Sequence, residues 1–122
     1  MGFFELKKEI FNLLYAINSN TYHEKADKET TIPYMIYSIM SGISENESDR
    51  VDLILMIDIY DNKDDTTNLE NLTTLVRTGL NRKNVSENGC SMNLYFETFF
   101  DIIEEDENLR HRQLRFKITS YI

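Results

Sequence analysis

One cysteine, Cys90, in a chain of 122 residues excludes an internal disulfide, and thiols alone can build neither a zinc site nor a redox pair here. The simplest expectation is a reducing, intracellular place of assembly. No apolar run approaches the roughly 18 residues that a membrane span needs. The opening Met1-Gly2-Phe3-Phe4-Glu5 is soon interrupted by Lys7, Lys8 and Glu9, so it lacks the apolar heart of a signal peptide, and Lys7 spoils a myristoylation signal that would start at Gly2. A soluble chain is expected, without a membrane partner. Proline (one) and glycine (four) are scarce, while 41% of residues are hydrophobic and 28% charged, a balance that suits an ordered globular domain rather than a disordered tail. Basic residues are also in short supply. Thirteen against 21 acidic ones give a net charge of -8, the wrong sign for gripping phosphates, so no specific nucleic-acid binding is expected. An acidic surface would instead let DNA pass without sticking.

The length suits one domain spanning 1–122, since independently folding units commonly hold roughly 100 to 150 residues. Phe3, Leu6, Ile10, Leu13, Leu14 and Ile17 recur at intervals of three and four, which predicts an amphipathic helix from Phe3 to Ile17 ended by Asn18-Ser19-Asn20. Residues 18–31 read as a long polar loop with Tyr22 as its only large apolar anchor. Pro33 opens a strand over Tyr34 to Met40, tolerated because it stands at the strand start. After a polar turn at 41–49, Val51, Leu53, Leu55, Ile57 and Ile59 alternate with a mixed face, the clearest strand in the chain. Thr67 and Glu70 have the spacing of a capping box, predicting a helix that runs through Leu69, Leu72, Leu75, Val76 and Leu80.

Residues 81–90 are polar, with Asn88-Gly89 as a turn signal. A last hairpin is predicted from about Met92 to Ile103 and about Leu109 to Ile122 across an acidic turn. Its favoured register sets Glu97 opposite Arg115, Asp101 opposite His111, Phe96 opposite Phe116 and Leu94 opposite Ile118, so that charge meets charge and apolar meets apolar. The expected fold class is therefore α+β in the order α-β-β-α-β-β, a four-stranded, mainly antiparallel sheet with both helices packed on one face.

Reactive constellations are thin. Asp58, Asp61, Asp64 and Asp65 could hold a hard cation, but their spacing is not that of a calcium loop and the required glycine is missing. Acids at a helix start explain Asp64 and Asp65 better. A nuclease would recruit the same acids with Glu97 and Lys117, in no recognisable spacing. His23 is expected in solvent, His111 beside Asp101, and Cys90 in a structural role rather than as a nucleophile. No catalytic residue, metal or cofactor is expected. Seven Phe and seven Tyr suggest a contact surface, and Tyr22, Tyr37, Tyr60, Tyr95, Phe99 and Tyr121 are the candidate interface residues, the last five expected on the less buried sheet face.

Several strings resemble the phage tail terminator and tail-completion, or head–tail joining, proteins of long-tailed phages and prophages. They are the amphipathic N-terminal helix, Ile32-Pro33-Tyr34-Met35-Ile36-Tyr37 entering the first strand, Leu55-Met56-Ile57-Asp58-Ile59-Tyr60-Asp61-Asn62 leading into the second helix, and the closing Arg112-Gln113-Leu114-Arg115-Phe116-Lys117-Ile118. The resemblance spans nearly the whole chain and implies a virion protein without an active site. It further implies a homo-oligomeric ring, commonly a hexamer, that ends the tail tube and contacts the tube protein and the head–tail connector. The rival reading is a small acidic adaptor or inhibitor that docks a basic partner.

Overall fold

The computed structural model describes residues 3–23, 33–41, 50–62, 64, 66–87, 90–106 and 109–121. Helix α1 (Phe3–Ile17) is followed by the short strand β1 (Thr21–His23), then β2 (Tyr34–Ser41) and β3 (Arg50–Asn62). Helix α2 (Thr67–Leu80) leads into β4 (Lys83–Glu87), β5 (Cys90–Ile102) and β6 (Leu109–Tyr121). The strands form one curled sheet in the order β1-β2-β3-β6-β5-β4, parallel between β1 and β2 and antiparallel elsewhere.

The four-stranded expectation is thus overturned. The sheet is six-stranded and mixed, and the order is α-β-β-β-α-β-β-β. The two additional strands lie in stretches read from the sequence as polar connections. β1 buries only Thr21, and β4 only Val85 among its described side chains, too little apolar alternation to register as strands. The turn signal at Asn88-Gly89, most of the 41–49 turn, and Asp65 lie outside the described residues.

The core follows from the pairing. Leu53, Leu55 and Ile57 of β3 face Ile118, Phe116 and Leu114 of β6, and Ile57 and Ile59 face Tyr37 and Met35 of β2. Cross-strand partners share a face of the sheet, and all of these residues are buried with Leu6, Ile10 and Leu14 of α1 and Leu69, Leu72, Val76 and Leu80 of α2. The apolar stripes of the two helices close over this face. The other face is left to residues such as Asp58, Tyr60, His111, Gln113 and Arg115.

Two local devices differ from expectation. The helix starts one residue before the expected box, since Thr67 is already helical and the Glu70 amide donates to the Thr66 carbonyl at 3.0 Å. Thr66 stands at the N-cap without a side-chain bond, and the Leu69 amide donates instead to Asp61 Oδ2 at 2.8 Å, while the Asn62 amide donates to Asp61 Oδ1 at 2.8 Å. A carboxylate from the end of β3, only 2% exposed, therefore caps the helix from outside its sequence window.

The second device is a β-bulge. Leu94 faces Ile118 and Phe96 faces Phe116, as the charge-matching register requires, but the pairing then jumps to Thr98 opposite Arg115. Glu97 is the extra residue, so it does not oppose Arg115. Asp101 consequently meets Arg112 and Ile102 meets His111.

Candidate functional site

The outer face of the sheet carries a polar and aromatic network centred on His111. Its Nδ1 lies 2.5 Å from Glu104 Oε1 and its Nε2 lies 2.6 Å from Asp58 Oδ1. Ionised carboxylates only accept, so satisfying both contacts requires a proton on each ring nitrogen, which is the imidazolium. Burial works against that charge, but the hydrogen bonds and charges of Asp58 and Glu104 outweigh it and raise the His111 pKa above its ordinary 6.5. The ring stacks at 4.2 Å on Tyr60, which stacks at 4.7 Å on Tyr34. Burial, with Asp58 and Glu104 adding to it, holds the Tyr60 phenol neutral by raising its pKa. Gln113 Nε2 donates to Asp58 at 3.0 Å and Arg115 Nε donates to Gln113 Oε1 at 3.0 Å, while the Arg115 guanidinium sits 5.2 Å from the Phe100 ring centre. The network pins the turn after β5, through Glu104, to the middle strands.

This clamp has a pH signature. A histidine whose folded pKa is raised contributes stability that is fully present below its unfolded value and is lost as pH rises through the folded value. The melting temperature of the native chain should therefore exceed that of His111→Gln most at about pH 6, and the gap should narrow with increasing alkalinity. A gap that stays constant up to about pH 9 would mean that folding leaves the His111 pKa where it stands in the unfolded chain.

The helix-facing side holds a second charged cluster. Arg112 follows His111 on β6 and points the opposite way, as strand alternation demands. Its Nε donates to Asp101 Oδ1 at 2.7 Å, an Nη reaches Glu70 at 3.0 Å, and the guanidinium lies 5.1 Å from the Phe99 ring centre. One side chain thereby joins β6, β5 and α2.

Between the two clusters a cleft of 660 Å³ opens where the first turn of α2 meets the β5–β6 turn. Glu70, Asp101, Glu104 and Asp106 line it, with Arg110, His111 and Arg112 as its cations. His111 and Arg112 are engaged by carboxylates, and three of the acids that line the cleft, Glu70, Asp101 and Glu104, are the ones that engage them, so the cleft is built as a tied corner. No group of three or more His, Cys, Asp or Glu side chains among the described residues could hold a metal ion. Alternation divides the acidic string itself, with Asp58 on the outer face and Asp61 under the helix.

The candidate contact residues are scattered. Tyr95 and Phe99 are 46% and 40% exposed, whereas Tyr37 is 4% exposed, facing the helices and stacked on His23 at 5.0 Å. Tyr37 thus leaves the set expected on the open face, because its partner Ile57 belongs to the core. Tyr22 is half-buried in β1, Tyr60 is half-buried in the His111 stack, and the side chain of Tyr121 lies outside the described residues. Phe99 also differs in side: it pairs with Leu114 and leans toward Arg112. His111 was expected beside Asp101 and is instead clamped by Asp58 and Glu104. The side chain of Cys90 is outside the described residues. Phe100 and Ile103, 38% and 98% exposed, were not singled out by sequence, although the Phe99-Phe100 doublet places an aromatic ring on each face of any strand that contains it.

Two helices over a curled, mixed six-stranded sheet define an α+β architecture with solved counterparts. A chain of the virion of a native gene transfer agent particle superposes with a TM-score of 0.70 at 12% identity, over 89% of this chain and 84% of that one. A second solved structure, known only by a sequence identifier, gives 0.71 at 5% identity over 96% of this chain and 91% of that one. At such identities the likeness is one of fold. No family model matches the chain. No curated protein matches its sequence.

Proposed function

We propose that this chain is a structural subunit of a phage-like virion that acts at the head-proximal end of a tail. There, copies of it close into a ring, a hexamer in the simplest case, which ends the tail tube and receives the head–tail connector. The observation that carries the reading is the fold shared over most of both chains with a component of a gene transfer agent virion. The sequence resemblance to tail terminators points the same way independently. On this reading the protein works by fit, without catalysis or a cofactor, and its partners are other copies of itself, the tube protein and the connector. A ring of subunits that each carry a net charge of -8 would repel DNA phosphates from its lumen.

The net charge of -8 favours one other reading, an acidic adaptor that docks a basic protein. Light scattering and negative-stain imaging of the purified protein, alone and with tail tubes, separate the two. Rings, or subunits capping tube ends, are the expected result. A chain that neither closes into rings nor adds to tubes, yet binds a basic partner in a salt-sensitive way, would replace the virion reading with the adaptor.

A further inference from the structure

β4 covers only part of its neighbour. It pairs with Cys90 to Leu94 of β5 and stops at Lys83, so from Tyr95 to Ile102 the outer edge of β5 has no neighbouring strand among the described residues. One backbone amide on that edge, Phe96 N, is satisfied by Asn81 Oδ1 at 3.0 Å. Beyond the Glu97 bulge the stretch Thr98 to Ile102 is extended and regularly paired on its inner side, with exposed Phe99 and Phe100 on its two faces and the fully exposed Ile103 at its end. An edge of this kind is a template for another strand.

We propose that the open half of β5 is the docking site of a second copy of this chain, the two β5 edges pairing antiparallel about a two-fold axis at Phe100. In this arrangement Phe100 faces Phe100 of the partner subunit across the axis, Thr98 faces the partner's Ile102, and Phe99 faces the partner's Asp101. A two-fold contact must be complementary to itself, and the charge pattern meets that demand. Where β5 ends at Ile102 the chain turns, and this pairing brings the acidic β5–β6 turn, Glu104 to Asp106, near the end of β4 in the other copy. That end is basic: Arg82 and Lys83 stand there, and Arg77 lies over the Phe96 ring at 4.7 Å. Each subunit thus brings one acidic turn to the other's basic corner, twice per dimer, and the end of β4 acts as the stop that fixes the register. The other half-covered strand, β2, offers Ser38-Ile39-Met40-Ser41 beyond its pairing with β1, a stretch without charge and hence without such a complement.

The contact does not depend on the virion reading, and its test is separate. Sedimentation at about 100 μM, where an association with a Kd near 1 μM is almost saturated, should show a dimer. Phe100→Lys, placing like charges on the axis, should return it to monomer. In a Cys90→Ser background, Phe100→Cys should oxidise to a covalent dimer, because facing residues of an antiparallel pair have Cβ atoms about 4.5–5.5 Å apart; Tyr95→Cys, off the axis, should not. Lys83→Glu and Glu105→Lys should each weaken the dimer, and the double exchange should restore it. A protein that stays monomeric at that concentration, or one whose oligomers ignore Phe100→Lys and give no Phe100→Cys cross-link, overturns the proposal. Rings or capped tubes formed by the Phe100→Lys protein would overturn nothing in the virion reading while showing that assembly proceeds without this edge.

Discussion

Asp61→Ala is expected to lower the free energy of unfolding by about 3 kcal/mol, near the upper end for a buried polar group left without its partner. The Asp61 carboxylate is 2% exposed and accepts two backbone amides, from Asn62 where β3 ends and from Leu69 in the first turn of α2. Alanine leaves both donors without that acceptor and removes a negative charge from the positive end of the helix dipole. Thr66 at the N-cap makes no side-chain bond in its place. Asp61→Asn retains one carbonyl oxygen in place of two carboxylate oxygens and should lose about 1 kcal/mol. Urea unfolding of the three proteins measures the series, and amide exchange at Leu69 should quicken in the same order. An alanine variant within about 0.5 kcal/mol of the parent, the range of an ordinary surface change, would show that α2 is capped by something else.

Asp61 also marks where sequence reading stops. The helices and the long strands were legible because their signal is local: the three-and-four spacing of Leu6, Ile10 and Leu14, and the strict alternation of Leu53, Leu55, Ile57 and Ile59, are buried as that periodicity demands. The Thr67–Glu70 spacing satisfied the same local rule, yet the helix starts one residue earlier: the Glu70 amide donates to the Thr66 carbonyl, and a carboxylate eight residues before Leu69 takes the Leu69 amide. β1 and β4 were hidden for the opposite reason. They are held by ladders to β2 and β5, whereas their own side chains, such as Tyr22, His23, Lys83 and Asn84, give no periodic signal.

The candidate site was legible in part, and the bulge explains the rest. Matching charge with charge and apolar with apolar across the last hairpin sets Leu94 opposite Ile118 and Phe96 opposite Phe116, as they stand, but both charge pairs, Glu97 with Arg115 and Asp101 with His111, fail. One extra residue at Glu97 then moved every later pair by one. Asp101 passed from His111 to Arg112, and His111 was left to find its acids on β3 and in the turn. A bulge inside a stretch as aromatic as Phe96-Glu97-Thr98-Phe99-Phe100 is invisible to alternation, since apolar residues stand on both faces whichever residue is skipped. The candidate contact residues suffered similarly: Tyr37 and Tyr60 stand on neighbouring strands of one hairpin but point to opposite faces, and only the β2–β3 register decides which is buried.

Arg112 poses the remaining energetic question, whether its corner is held by charge or by packing. Its side chain is 10% exposed, but its partners Asp101 and Glu70 are 67% and 61% exposed, so each ion pair is screened by water and worth little by itself, on the order of 0–1 kcal/mol. The long aliphatic stem and the flat guanidinium fill the space between Phe99 and α2, close to Thr73. Truncation to alanine empties that space and should destabilise the fold by about 2–3 kcal/mol. Methionine restores much of the volume without the charge, and because Asp101 and Glu70 can turn to solvent, Arg112→Met should lose less than about 1.5 kcal/mol. Denaturant unfolding at low and at high salt decides the matter. Packing predicts that methionine rescues most of the alanine loss and that salt changes the differences little. If Met and Ala were equally destabilised, and the parent lost its advantage in salt, the corner would be an electrostatic tie of β5 to α2, and the cleft beside it would open with ionic strength.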